Sequence, residues 1–444
     1  MATDSDNTIL IIGGGGLRVI FRRVASMKLT GYSMHRPEHC ARAEEGWYSH
    51  SGIAALLYSE QLIPTQAGIR ALVYESEPAG LQRARDWNIG LHWSAPILET
   101  LIPPESFAKI DSVQVDPSKP CPPSSRVDIL NGQTGEKIGG TTLPHFYRII
   151  RSKLRALIAE GLDIQYGKTL TSVQYSDDGK TVTASFADGT SATGALLIGA
   201  DGARSRIRQL LLGEKRAALT ILPFAATIVQ AKYTSAQAKF LRSWHPLYIM
   251  AVHPAGMISW VGLHSAQDPE DPENWILNHY ISWPSSLADQ EETKDWTNKM
   301  RLEQLKEKSK LFTDPFRSAF EWLSEDQPVW YAPLSQWDPS LEEHQWGNMG
   351  GRVTLAGDAA HPMTFQRGQG LNSGIKDASE LVNQIRSFMG TTDKTRKEAI
   401  DAYESEMKTR AGLEVRLSSQ NTSMVHHWEQ VMQSPLITKG FTKQ

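Results

Sequence analysis

Cysteine is nearly absent from this 444-residue chain: Cys40 and Cys121 are the only two, so no disulfide framework holds it together. Long apolar runs are missing as well. No stretch approaches the length of a membrane span, and the opening "MATDSDNT" carries no basic-plus-apolar signal pattern. Charge of one sign is also lacking. With 46 Lys and Arg against 49 Asp and Glu, the net charge of −3 gives no electrostatic reason to expect nucleic acid or an anionic membrane as partner. Internal repeats and low-complexity tracts are absent too. His35, His39, Cys40 and His50 match no zinc-ligand spacing, so no metal is expected. These absences leave a soluble protein, expected in the cytoplasm. Its 40% apolar and 21% charged residues are enough for a sizeable core, and its length suits two or three domains.

What is present begins with "TILIIGGGG" (8–16), a short apolar strand running into a glycine-rich turn. "IRALVYE" (69–75), "GALLIGADG" (194–202) and "RVTLAGD" (352–358) are further nearly continuous apolar runs, as expected for parallel strands covered on both faces. "HFYRIIRSKLRALIAEGL" (145–162) places Ile150, Leu154, Leu157 and Ile158 on one helical stripe, with Gly161 as a stop signal. Between about 216 and 335 the pattern alternates: "ATIVQAKY", "LYIMAVHP", "GMISWVGLH" and "WILNHYISW" read as an antiparallel sheet rich in aromatics.

The expected fold is therefore α/β: a Rossmann-like nucleotide-binding domain interrupted by a mainly antiparallel β substrate domain, with a helical C-terminus. Residues 1–92, 126–215 and 336–390 are assigned to the nucleotide-binding domain. Residues 93–125 form an excursion toward the substrate domain, 216–335 the substrate domain itself, and 391–444 the C-terminal helical region.

A strand, a glycine turn and a helix make a phosphate site because glycine lets the backbone approach a pyrophosphate and the helix end offers unpaired N–H groups. Gly13 and Gly15 fit the first two glycines of that fingerprint, but Arg18 stands where the third belongs. Glu75 ends the second strand, where a carboxylate accepts ribose hydroxyls. "GADGARSRIR" (199–208) and "LAGDAAHPMTFQRGQGLN" (355–372) each end a buried strand with an aspartate beside a glycine. Asp358 suits a ribityl hydroxyl, Gly368 and Gly370 the close approach of a flat ring, and a helix starting near Asn372 would aim its positive end there. The plainer reading makes each aspartate a turn residue or helix cap.

Taken in order, "IIGGG", "VYE", "RSKL" (151–154), "GADGARS" and "GDAAHP…GQGLN" resemble the group A flavoprotein monooxygenases, the para-hydroxybenzoate hydroxylase-like family. "DWNIGLHWSAPILETLIP" (86–103) and "PFRSAFEW" (315–322) are similar to a fungal branch acting on aromatic polyketides. The resemblance implies FAD as cofactor and NAD(P)H as co-substrate. It implies Glu75 at the adenosine ribose, Arg151 near the pyrophosphate, and Asp201 with Gly202 serving FAD and NAD(P)H. It further implies Gly357 and Asp358 at the ribityl chain, and Gly90, Gly370, Leu371 and Asn372 near the isoalloxazine. The implied reaction is hydroxylation of a phenolic or quinonoid polyketide by molecular oxygen through a C4a-hydroperoxyflavin, kept from water by a dry pocket.

The substrate side is open. Trp244, Trp260, Trp275 and Trp283 are candidates for the pocket wall, although tryptophans in such a sheet are more often core. Tyr248, His253 and His279 lie on plausible inward strands whose register is not fixed. His361 is expected to anchor its own loop, and either Arg83 or Arg85 to face the flavin.

The opening stretch then presents a difficulty. Gly13 and Glu75 are 62 positions apart (75 − 13), against the roughly 20 residues usual beyond such a turn. Residues 16–51 show no sustained helical stripe, and Gly52 in "HSGIAALLYSEQL" opens the first stretch resembling the missing helix. Residues 16–51 are read as an insert that the working enzyme lacks. The alternatives are a loop projecting outward, with Gly52 completing the fingerprint, and an insert that abolishes FAD binding. Two competing functions stand beside hydroxylation: a flavin oxidoreductase that dehydrogenates or epoxidises, and a non-catalytic remnant with a broken FAD site.

Overall fold

The computed structural model describes residues 4–13, 70–80, 86–390 and 393–438. Gly15, Gly52, the 16–51 insert, Arg83 and Arg85 lie outside the described residues, as do His35, His39, Cys40 and His50.

Four of the apolar runs do form one parallel sheet. Thr8–Ile12 is central, flanked by Leu196–Gly199 and Arg70–Tyr74; Val353–Leu355 and the two-residue strand Ile164–Gln165 complete the five-stranded order. All five residues of Thr8–Ile12 and all four of Leu196–Gly199 are buried, because helices cover the sheet. Ile375, Ala378 and Leu381 of the Gly370–Ile385 helix pack into this core, together with Tyr403 and Met407 of the Arg396–Val425 helix. The Tyr403 hydroxyl donates to the Leu355 carbonyl at 2.9 Å, tying the long helix to the last strand.

Gly13 ends the first strand at φ +152, and a Cβ there would overlap the Ala200 carbonyl. The glycine is required by that close approach of two strand ends.

The second domain is a seven-stranded sheet in the order Val329–Gln336, Thr220–Ala231, Ile276–Pro284, Met257–Ser265, Tyr248–His253, Ser124–Asn131, Lys137–Pro144. Its pairings are antiparallel except between Tyr248–His253 and Ser124–Asn131. The last two strands fall within residues 126–215 for the most part, a span assigned from sequence to the nucleotide-binding domain. Here they extend the substrate sheet, since backbone pairing follows the open edge of Tyr248–His253 and not the order of the chain.

Residues 145–162 also differ from expectation. Tyr147–Ile150 is a strand paired antiparallel with Asn88–Leu91, and the helix runs only over Arg151–Ala159. Leu154, Leu157 and Ile158 are buried on that helix as the stripe requires, while Ile150 is extended at its N-cap. A four-residue aromatic and β-branched stretch before a helix fits either period, and here the partner strand decides.

One face of the large sheet carries Leu302, Leu305, Phe316 and Phe320 from the helices Asn298–Ser309 and Phe316–Glu321. The other face carries Phe224, Tyr248, Trp260 and Tyr280, and meets Val425, Val431 and Leu436 from the C-terminal region. Among the described residues no helix is long and apolar enough to cross a membrane.

Candidate active site

Asp358 follows the Val353–Leu355 strand in a short 3-10 turn, Gly357–Ala359. Its carboxylate lies 3.7 Å from the position a Cβ would take on Gly370. The residue is exposed to solvent, yet desolvation by the protein around it raises its pKa, with Asp377 adding to the rise and His361, Arg151 and Arg208 opposing it. The structure thus brings Arg151, Asp358 and Gly370 into one neighbourhood.

The Asp358 turn is held from below. Asp377, fully buried on the Gly370–Ile385 helix, accepts from the Gly357 backbone N–H at 2.7 Å and from Arg410 at 2.7 Å, and sits 2.6 Å from His361 Nε2. Burial alone would raise the Asp377 carboxyl, but His361 and Arg410 more than offset it and hold its pKa down. His361 is therefore the anchor of its own loop.

A second buried ion clamps the neighbouring loop. Arg208 donates to the carbonyls of Ala359 (2.8 Å), Ala217 (3.1 Å) and Ala203, and its guanidinium lies 4.9 Å from the Trp337 ring centre. It thereby joins the 201–205 loop to the Asp358 turn.

Asp201 is engaged at a helix start. Its carboxylate accepts from Ser205 Oγ at 2.5 Å and from the Arg206 and Ile207 backbone N–H groups at 2.6 and 3.1 Å, just before the Arg206–Leu212 helix, whose N-cap is Ser205. Gly202 beside it has φ +84 and nothing within 4 Å of its would-be Cβ, which leaves the backbone open to a ligand. Glu75 is buried and engaged: it accepts from Arg155 at 2.7 Å and from the Glu77 backbone N–H at 2.9 Å. A ribose hydroxyl would share those oxygens.

Asn372, in the first turn of the Gly370–Ile385 helix, donates to the Gly90 carbonyl at 2.9 Å and accepts from His92 N–H (3.1 Å) and Ser94 Oγ (2.7 Å). Burial lowers the His92 pKa to about 4. Gly90 packs so closely on Phe146 that a Cβ would lie 2.7 Å from its ring. Leu371 is partly buried against the nucleotide-domain core.

From Gly90 the contacts continue into the substrate sheet. Gly90 pairs in register with Arg148. The Arg148 guanidinium lies 5.0 Å from the Trp260 ring centre and 5.4 Å from that of Tyr248. Trp260 is nearly parallel to Tyr280 (5.9 Å, 8°), and Tyr280 meets Phe365 edge-on at 5.1 Å. Phe365 begins the turn that leads to Gly370. Asn372, Gly90, Arg148, Trp260, Tyr280 and Phe365 thus close a circuit between the flat-ring end of the nucleotide domain and the aromatic face of the sheet.

Of the four tryptophan candidates only Trp260 belongs to this circuit. Trp244 is exposed, Trp275 is buried beneath Arg242, and Trp283 packs with Lys308 and Tyr331 on the other face. Tyr248 reaches the circuit, His253 is bound to the Leu311 carbonyl, and His279 faces Phe320 and Tyr233 on the far side. Arg148 escaped sequence reasoning because "FYRII" was taken as helix, where Arg148 has no reason to lie opposite Gly90. Among the described residues no cluster of three or more His, Cys, Asp or Glu could hold a metal ion.

Comparison with known proteins identifies the family. The family model described as "FAD binding domain" matches residues 144–418. The FAD-dependent monooxygenase cctM of Talaromyces islandicus is 37% identical over 89% of this chain and 96% of its own length. The FAD-dependent monooxygenase phnB of Penicillium herquei is 36% identical over 88% and 93%. In fold, the 2,6-dihydroxypyridine-3-hydroxylase of Arthrobacter nicotinovorans superposes with a TM-score of 0.64 at 18% identity, covering 96% of this chain and 94% of that one. The chain belongs to the FAD-dependent monooxygenases of the para-hydroxybenzoate hydroxylase-like family, and FAD is its cofactor.

The residues present fit that cofactor at the ribityl end. Asp358 makes no side-chain hydrogen bond or ion pair among the described residues and lies beside a glycine helix start, as a carboxylate awaiting hydroxyl donors would.

Proposed function

We propose that this monooxygenase hydroxylates an aromatic ring, of the phenolic or quinonoid polyketide type, with NAD(P)H as electron donor. The observation that carries the reading is the closed circuit from Asn372 to Phe365, which sets an aromatic face against the Asp358–Gly370 site. A parallel in fold supports it: the neighbour from Arthrobacter nicotinovorans is a 2,6-dihydroxypyridine-3-hydroxylase.

When bound, FAD supplies the reducing and oxygen-activating chemistry. The protein supplies position and a dry surround. Asp358 accepts the ribityl hydroxyls, Gly357 and Gly370 let the backbone come close, and the Gly370–Ile385 helix directs its positive end at the ring. Arg151 serves the pyrophosphate, with Gly202 leaving room for it and Gly13 ending the strand beside it. Glu75 takes the adenosine ribose while Arg155 fixes its carboxylate. Asp201 acts by holding the 201–205 loop on its helix. Asn372 and Leu371 set the ring edge against Gly90. Trp260, Tyr248 and Tyr280 receive the substrate ring and keep water away, which protects a reactive oxygen species from decay.

The test is turnover under isotopically heavy dioxygen with candidate phenols. One heavy atom per product molecule, matched to NAD(P)H consumed, is the expected result. Substrate oxidation without heavy-atom incorporation would make the protein a dehydrogenating flavin enzyme instead.

A further inference from the structure

Among the described residues Arg148 is a cation without an anion. Desolvation lowers its pKa to about 10, which still leaves it charged near neutrality; Tyr248 and Tyr280 act on it electrostatically, and it in turn disfavours the charged forms of His92 and His264. Among the described residues no carboxylate pairs with it. Nη2 donates to Asn88 Oδ1, while the buried Nε has no partner. Asn88 is itself held by its amide, which donates to the Leu263 carbonyl at 2.8 Å. A cation enclosed this way costs free energy unless an anion or strong acceptor meets it.

The surroundings specify the shape of that acceptor. Trp260 and Tyr248 lie against the guanidinium, and Tyr280 stacks on Trp260. Burial pushes the Tyr248 hydroxyl up to about 12 and raises that of Tyr280 too, so both are neutral donors and neither competes as an anion. His92 is likewise neutral, its pKa lowered to about 4 by burial. Arg148 lies in register with Gly90, at the end of the site assigned to the flavin ring.

We propose that Arg148 determines substrate specificity by holding the ionised hydroxyl of an acidic phenol or enol, whose ring lies against Trp260, Tyr248 and Tyr280. The class is an aromatic hydroxyl acidified by a conjugated acyl or quinone group. Its methyl ether, which has no charge to offer, leaves the guanidinium unpaired and is rejected. This rests on the aromatic-hydroxylase reading, and it adds the charge state of the ligand and the residue that reads it.

The test uses holoenzyme and two probes, 4-nitrophenol and its neutral ether 4-nitroanisole. Binding is read by quenching of tryptophan fluorescence, and the ionisation of bound nitrophenol by its visible difference spectrum. We expect nitrophenol to bind as the phenolate, at least tenfold more tightly than the ether. Arg148→Met and Arg148→Gln should both abolish that preference while leaving ether binding within about twofold, and Arg148→Lys should restore part of it. Gln carries the comparison if Met does not fold. Equal binding of the two probes by the wild type, or an unchanged preference in Arg148→Gln, overturns the proposal and leaves the hydroxylase reading standing. Hydroxylation of neutral aromatics alone does the same. Failure of the wild type to bind either probe, together with no aromatic turnover, overturns both.

Discussion

The Asn372 side-chain amide donates to the Gly90 carbonyl at 2.9 Å, across 282 positions of sequence, and so fixes the first turn of the Gly370–Ile385 helix to the strand Asn88–Leu91. The same side chain receives the His92 N–H and the Ser94 hydroxyl, all in buried surroundings. Asn372→Ala orphans those donors at about 1–3 kcal/mol each. We expect a loss of about 3 kcal/mol of stability and a drop in bound flavin, measured by chemical denaturation and by the flavin-to-protein absorbance ratio. Asn372→Asp keeps the shape but turns an acceptor toward two carbonyls. Wild-type behaviour in that variant would contradict the structural role.

Asp377 joins the Gly357 turn, His361 and Arg410 at full burial. Removing one member of such a buried set costs about 3–5 kcal/mol, so Asp377→Ala should unfold at much lower denaturant concentration. The pH dependence has a definite sign. The folded carboxyl is held below its ordinary value, so its contribution is present at neutrality and is lost as pH falls below the usual carboxylate range toward the depressed one. The wild type should show that acid loss, and Asp377→Ala should lack it.

Three buried histidines make the fold acid-labile over a higher range. Burial lowers His92 and His426 to about 4 and His279 to about 3. Each takes up its proton in the unfolded chain near pH 6.5 but resists it in the fold. Their effect therefore favours the folded state fully above that value and turns against it as pH falls. His279 is the cleanest probe, because it is fully buried and desolvation is the largest cause of its shift. His279→Leu should gain about 2 kcal/mol over the wild type between pH 7 and pH 5, from about 1.4 kcal/mol per pH unit. Parallel stability curves for the two proteins over that range would refute it.

The 16–51 segment is tested by its removal. The surplus between Gly13 and Glu75 leads us to expect that the chain lacking residues 16–51 binds more flavin per protein than the full chain. Equal flavin in both would mean that the segment projects outward and Gly52 completes the turn. Flavin in the full chain alone would make the segment part of the site.

Much of the nucleotide-binding half was legible in the sequence, because buried parallel strands read as unbroken apolar runs. "TILII", "ALVY", "LLIG" and "VTL" each became a strand of one sheet. Asp358 and Gly370 could be singled out because a strand end, a carboxylate and a glycine turn are neighbours along the chain, and the structure sets the two side by side. The motif of Asp201 fits a cap and a ligand equally, and its carboxylate takes three donors at the start of the Arg206–Leu212 helix. Tyr147–Ile150 was missed since four residues carry too little periodicity to separate strand from helix.

The amino-acid sequence by itself determined the cofactor class, the order of the sheet-forming segments and the loops that end them, because each rests on chemistry that is local in the chain. It also set the alternation along Met257–Ser265 and Ile276–Pro284, since neighbouring side chains on a strand must point to opposite faces. Which of those faces looks toward the flavin site was decided by tertiary structure alone. Alternation has a period but no sign, and the sign came from helices covering the His279 face and from the Gly90–Arg148 ladder docking beside the Tyr280 face. The role proposed for Arg148 rests on that docking, which closes aromatic rings around a strand arginine that no carboxylate meets among the described residues.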